Sequence, residues 1–141
     1  MKKLWIAAAA VLFLLLCCGC AAAEKSGKLN SGISWSLSDS GWLYISGEGK
    51  TPDYNQSSNP SPFSGDETIR VIHMTDGITG LGNDIFYNCG GLINVYLPES
   101  LRSIGNRAFY KTTIARIDIP SGVTSIGERA FSYCEIGRAH V

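Results

Sequence analysis

Three consecutive stretches of the chain place apolar residues at matching positions: IRVIHMTDGITGLGNDIFYNCGG (69–91), LINVYLPESLRSIGNRAFYKTT (92–113) and IARIDIPSGVTSIGERAFSYCE (114–135). Seven columns coincide: Ile69/Leu92/Ile114, Ile72/Val95/Ile117, Met74/Leu97/Ile119, Ile78/Leu101/Val123, Leu81/Ile104/Ile126, Ile85/Ala108/Ala130 and Phe86/Phe109/Phe131. The offsets are 23 and then 22 residues, with the shortening in the loop after Phe109. A fixed offset of this size means that one supersecondary unit has been copied, and copied units stack into a solenoid. Apolar residues at the first, fourth and sixth positions of each copy predict a short strand entered through a turn, with successive strands pairing in parallel about 4.8 Å apart. The glycine column Gly82/Gly105/Gly127 implies either an unusual backbone conformation or a close approach that a side chain would obstruct. Four residues later, each phenylalanine is expected to ride on a single helical turn that points its ring inward, so that three stacked rings form the spine of the core.

Ahead of the copies, residues 31–65 split into two kinds of sequence. ISWSLS and WLYIS alternate around the turn Asp39-Ser40-Gly41, which predicts a β-hairpin with Ile33, Trp35 and Leu37 on one face and Leu43 and Ile45 on the matching face. After it, GEGKTPDYNQSSNPSPFSGDE is dense in Gly, Pro, Ser and Asn and reads as an irregular surface connection. Residues 20–30 read as a polar tether. The first 19 residues have two lysines, an apolar run from Leu4 to Leu16 and then small residues, the layout of an export signal and too short a run to span a membrane comfortably. Gly19-Cys20 resembles a lipoprotein box, with Cys20 as the lipid attachment site, although Cys17 stands where leucine is usual. Ala21-Ala22-Ala23 offers ordinary secretory cleavage instead.

The segments IPSGVTSIGERAFSYC and LPESLRSIGNRAFY resemble the BspA-like leucine-rich repeats of bacterial surface proteins, and SWSLSDSGWLYISGEGKTPDY resembles the segment before the first repeat of that family. The resemblance runs from about residue 32 to 135; Thr75 departs from it where Pro98 and Pro120 stand in the other copies. It implies an α/β leucine-rich-repeat solenoid, mostly parallel β with short helical turns, preceded by a β-hairpin cap and a cleaved signal. Repeats 69–91, 92–113 and 114–135 and a truncated end would then fill residues 66–141. The tail EIGRAHV could begin a fourth strand through Ile136, Ala139 and Val141, or it could be a translated sequencing adapter; on either reading the native chain is expected to carry more repeats.

Charge and chemistry narrow the function. The chain carries 12 basic and 12 acidic side chains, and loss of Lys2 and Lys3 with the signal leaves a slight acidic excess, so no basic surface for nucleic acid is expected. Only two histidines are present, His73 and His140. His73 is expected to face outward, level with Tyr96 and Asp118, on a flat ladder that offers no pocket for proton transfer. Cys89 and Cys134 share a repeat position two coils apart, beyond disulfide reach, and are expected to be free core thiols. No catalytic group, metal site or cofactor is expected. Gly47-Glu48-Gly49-Lys50 is too short for a phosphate loop, and the triplet Asn55-Gln56-Ser57 matches a glycosylation site only in form. The candidate binding face is the outward ladder Val71, His73, Asn94, Tyr96, Arg116 and Asp118. The expected function is a non-catalytic, cell-surface module that binds an extracellular protein or glycan, held to the membrane by its lipid or else secreted. The alternative is the N-terminal spacer or recognition part of a larger secreted enzyme whose catalytic domain is missing from this sequence.

Overall fold

The computed structural model describes residues 25–134 and 138–140. The signal with Cys20, and the tail residues Ile136 and Val141, lie outside the described residues. Along the chain the strands are β1 (Lys25–Lys28), β2 (Ile33–Leu37), β3 (Trp42–Gly47), β4 (Gly49–Lys50), β5 (Val71–Met74), β6 (Ile78–Leu81), β7 (Asn94–Tyr96), β8 (Ser103–Ile104), β9 (Arg116–Asp118), β10 (Ser125–Ile126) and β11 (Arg138–His140). They make a seven-stranded sheet in the order β1-β2-β3-β5-β7-β9-β11 and a four-stranded sheet in the order β10-β8-β6-β4.

Each copy supplies one strand to each sheet. In the larger sheet Ile72 lies beside Val95 and Val95 beside Ile117, both in parallel register, so the offsets of the sequence are the register of the stack. In the smaller sheet Leu81 lies beside Ile104 and Ile104 beside Ile126. Alternation along each strand sends Ile72, Met74, Val95 and Ile117 inward, where all are buried. At the tail, β11 pairs in parallel with β9, Ala139 beside Ile117, and continues the same spacing.

The phenylalanine spine is present and longer than the copies require. Ring centroids are separated by 5.7 Å from Phe63 to Phe86, 5.3 Å from Phe86 to Phe109 and 5.4 Å from Phe109 to Phe131, all near-parallel, and Trp35 meets Phe63 edge-on at 5.1 Å. Such offset stacks of rings add to the burial they already provide.

Three expectations are corrected. First, no helix occurs among the described residues. The segments expected to be helical turns are pairs of β-turns whose amides bond to the next coil: Asp84, Phe86 and Asn88 donate to the carbonyls of Asn106, Ala108 and Tyr110 at 3.0, 2.9 and 2.7 Å. Two left-handed residues per coil, Asp84/Arg107/Arg129 and Asn88/Lys111/Tyr133, turn those amides sideways, which a right-handed helix forbids. Second, the irregular connection over residues 48–65 is also tied into the stack. β3 pairs in parallel with β5, Leu43 beside Ile72; β4 pairs with β6; and Ser61, buried, donates to the Ile85 carbonyl and receives the Phe63 amide. This segment is a divergent extra coil with a loop at Tyr54–Pro60, closed by the Asn55 side chain, which accepts from Ser57, Ser58 and Asn59. Third, the tether is partly structured: Lys25–Lys28 form β1, antiparallel to β2.

The glycine column is explained by close approach. None of Gly82, Gly105 and Gly127 has a positive φ, but a Cβ on Gly82 would meet the Pro52 carbonyl, one on Gly105 would stand 2.6 Å from the Gly82 carbonyl carbon, and one on Gly127 would stand 2.5 Å from the Asn106 nitrogen. The residue after each glycine shows why the coils come so near. Asp53 Oδ1 accepts the Asn83 amide, Asn83 Oδ1 accepts the Asn106 amide, and Asn106 Oδ1 accepts the Glu128 amide, at 3.0, 2.8 and 2.7 Å. A polar ladder therefore runs along one edge of the stack as the phenylalanines run through its middle.

Candidate recognition surface

The outer face of the larger sheet is built by the same alternation that buries its inner face. Next to inward Leu43 and Ile45, β3 turns Trp42 and Tyr44 outward; β5 turns out Val71 and His73, β7 Asn94 and Tyr96, and β9 Arg116 and Asp118. Register then sorts these residues into two rows. Trp42, Val71, Asn94 and Arg116 are successive neighbours, as are Tyr44, His73 and Tyr96, with Asp118 following in the next coil. All six residues of the predicted face, Val71, His73, Asn94, Tyr96, Arg116 and Asp118, therefore lie together on one surface.

Sequence reasoning missed Trp42 and Tyr44, which extend that surface by one strand. Their rings stack at 6.0 Å; Tyr44 lies 5.9 Å from His73, and His73 6.2 Å from Tyr96. The result is an unbroken aromatic band across three strands, with Trp42 38% and Tyr96 53% exposed. The alternation in WLYIS marked both residues as outward. That β3 is in register with β5 was not legible, because a hairpin strand carries no label for a second, parallel partner.

Beyond Tyr96 the chemistry changes. Arg116 Nη2 lies 3.4 Å from Asp118 Oδ2, both side chains mostly exposed, so the pair is a weak surface contact that leaves the face nearly neutral. An open depression of about 560 Å³ begins here, lined by Asn94, Tyr96, Arg116, Asp118, Glu99 and Pro120 among others.

The other groups singled out in the sequence are structural. Cys89 is buried and donates to the Phe63 carbonyl, and Cys134 donates to the Phe109 carbonyl beside the Thr112 hydroxyl; both thiols are free. Burial, with the charge of Asp66 adding to it, pushes the Cys89 thiol up to about 12. Asp53, accepting the Asn83 amide and facing Lys50, is held below the usual carboxylate range. Burial raises the Tyr54 phenol. Asp84, buried, receives Arg107 Nη2 at 2.7 Å across adjacent coils. Among the described residues no three His, Cys, Asp or Glu side chains converge as metal ligands.

Residues 50–140 match the family described as BspA type leucine rich repeat region (6 copies). The chain belongs to the BspA-type leucine-rich-repeat family. No curated protein matches it. Among solved structures, a leucine-rich repeat protein from Eubacterium ventriosum is similar at 25% identity with a TM-score of 0.68, over 83% of this chain and 37% of the other. This chain thus spans well under half of that relative's length. A leucine rich repeat protein of T. pallidum (17% identity, TM-score 0.46, over 82% of this chain and 72% of the other) and a leucine rich cell surface protein from Faecalibacterium prausnitzii (16%, 0.45, over 82% and 54%) are also similar.

Proposed function

We propose that this chain is an exported recognition module of the bacterial surface, binding an extracellular protein or glycan through the outer face of its larger sheet. The observation that carries this is the band from Trp42 to Tyr96. Trp42, His73 and Tyr96 stand exposed, with Tyr44 half-buried among them, on a sheet whose inner face already supplies the core, so their exposure serves no packing need. A flat, open face suits recognition better than chemistry, which requires a pocket that excludes water and holds a substrate against a reactive group. Membership of the BspA-type family supports the surface location. The layout of residues 1–19 and the Gly19-Cys20 junction support export and a lipid anchor at Cys20.

The test is a capture assay with the purified chain displayed on beads against a panel of extracellular proteins and polysaccharides. Tyr96→Ala combined with Arg116→Ala should weaken capture and leave the melting temperature within a few degrees of the parent. Capture unaffected by both changes would assign binding to another surface. Incorporation of labelled fatty acid into expressed protein, lost on Cys20→Ala, tests the anchor.

A further inference from the structure

We propose that the ligand of this face is a neutral polysaccharide chain, lying across the strands over the row Tyr44, His73 and Tyr96, with Trp42 beside Tyr44 at one end of that row, and ending in the depression beside Arg116 and Asp118. The inference rests on the outer face being the recognition surface and names what that surface takes.

Charge narrows the occupant first. The outward residues of β2, β3, β5 and β7 include serines, aromatics, Val71, His73 and Asn94, and carry no carboxylate, ammonium or guanidinium group. On the strands of the larger sheet from β2 to β9 a nucleic acid or an acidic polymer would meet one outward cation, Arg116, already facing Asp118; Lys28 of β1 and Arg70 ahead of β5 stand only at the margins of the face, too few and too scattered to track a chain of negative charges. A basic partner there would likewise meet only Asp118 and, at the depression, Glu99. Complementarity therefore favours a ligand without net charge.

Geometry then separates a sugar polymer from a peptide. The face is the interior of a sheet whose backbone groups are already paired, so a peptide cannot add to it as a strand. A polyproline helix repeats roughly every 9 Å, whereas the rings follow one another at 5.9 and 6.2 Å across the strands. That shorter step is close to the length of one sugar unit in an extended chain. The C–H faces of sugars carry a slight positive polarity that suits the negative faces of aromatic rings. The fringe fits as well: Ser36, Asn94, His73 and the Tyr96 hydroxyl can each donate and accept, as sugar hydroxyls do. Arg116 and Asp118 offer donors and acceptors side by side where the band stops.

The experiment is native affinity electrophoresis of the purified chain in gels containing laminarin, yeast mannan or xyloglucan as neutral probes, with polygalacturonate as the acidic probe and gelatin as the peptide probe. At least one neutral probe should retard the protein, with the retardation persisting in about 1 M salt, where charges are screened within roughly 3 Å. Trp42→Ala and Tyr96→Ala should each weaken it on the order of tenfold, the effect of losing one stacking ring. Tyr96→Phe, which keeps the ring, should retain most of it, and circular dichroism and melting should show all variants folded. Retardation by no neutral probe overturns the proposal, as does retardation that salt abolishes. Binding to gelatin alone, lost in Tyr96→Ala, overturns the sugar and leaves the recognition face standing. Retardation by a neutral probe that neither alanine weakens overturns both.

Discussion

Phe109 is fully buried in the middle coil, with the Phe86 ring 5.3 Å away on one side and the Phe131 ring 5.4 Å away on the other. Replacing it with alanine removes a side chain of the kind whose core truncation costs about 3–5 kcal/mol, the range set by how far the surroundings collapse into the gap. Here they can collapse little. The Phe86 amide is fixed to the Ala108 carbonyl at 2.9 Å and the Phe109 amide to the Ala130 carbonyl at 2.8 Å, so the coils on either side hold their spacing and the cavity stays open. The loss should fall in the upper half of the range, about 4–5 kcal/mol, a large share of the roughly 5–15 kcal/mol that stabilises a whole domain. Phe131→Ala is the internal control. That ring is only partly buried and stacks on one phenylalanine, so its removal should cost about half as much. Urea unfolding followed by circular dichroism gives both values, and the thermal midpoint of Phe109→Ala should drop on the order of 15–25 °C. A Phe109→Ala protein that melts within a few degrees of the parent, or that loses no more than Phe131→Ala, would refute the stacked core.

Asn106→Ala removes the acceptor of the Glu128 amide and should cost about 0.5–1.5 kcal/mol in the same urea experiment, whereas Asn106→Asp keeps an acceptor and should cost less. Cys89, neutral and buried with its thiol pushed up to about 12, should resist iodoacetamide at neutral pH while Cys134, partly exposed, is modified; peptide mapping distinguishes the two. Because the Cys89 thiol ionises later in the folded than in the unfolded chain, it stabilises the fold below the ordinary thiol range. That contribution should fall as pH rises from about 8.5 toward about 12, a decline that Cys89→Ala should lack. Asp53, held low first by the Asn83 amide and also by Lys50, adds stability above the ordinary carboxylate range that is lost as pH falls through it. Since its side chain is 54% exposed, the effect should be small, and Asp53→Asn, which keeps an acceptor, should flatten the acid limb of a stability-versus-pH curve.

The repeats were legible because burial imposes the same demand once per coil: the spacing of apolar residues alone marks the columns from Ile72/Val95/Ile117 to Phe86/Phe109/Phe131, and it also marks the shared outward position of His73 and Tyr96. What failed to show depends on contacts that leave no local pattern. The extra coil before the first copy hides its phenylalanine, Phe63, behind the Tyr54–Pro60 loop, and it meets the polar ladder with Asp53 where later coils have asparagine. The segment NDIFYN fits a helical turn as well as two β-turns; inter-coil hydrogen bonds decide, and the sequence does not name their partners. β1 is held by backbone pairing to β2, for which KSGK carries no apolar signal. The asparagine ladder was obscured by its last member, Glu128, which donates its amide to the row but carries a different side chain.

A stack of this kind separates the code for folding from the code for recognition more completely than a globule does. Inward positions answer to the coil before and the coil after, so Phe86 and Phe109 are constrained alike; outward positions of the same strands take no part in the buried columns. The outer rows nevertheless do not repeat, running from aromatic rings at Trp42, Tyr44, His73 and Tyr96 to an ion pair at Arg116 and Asp118. Nothing in the packing requires that gradient, since a serine or threonine at each position would satisfy a solvated strand equally well. The gradient also gives the face a direction, so a chain-like ligand with distinct ends would bind in one orientation, its end beside Arg116 and Asp118 hydrogen-bonded and its other end on Tyr44, with Trp42 alongside. Reversing that order, by moving the ion pair to Val71 and His73 and the aromatics to Arg116 and Asp118, would leave the buried columns untouched and change only what the surface recognises.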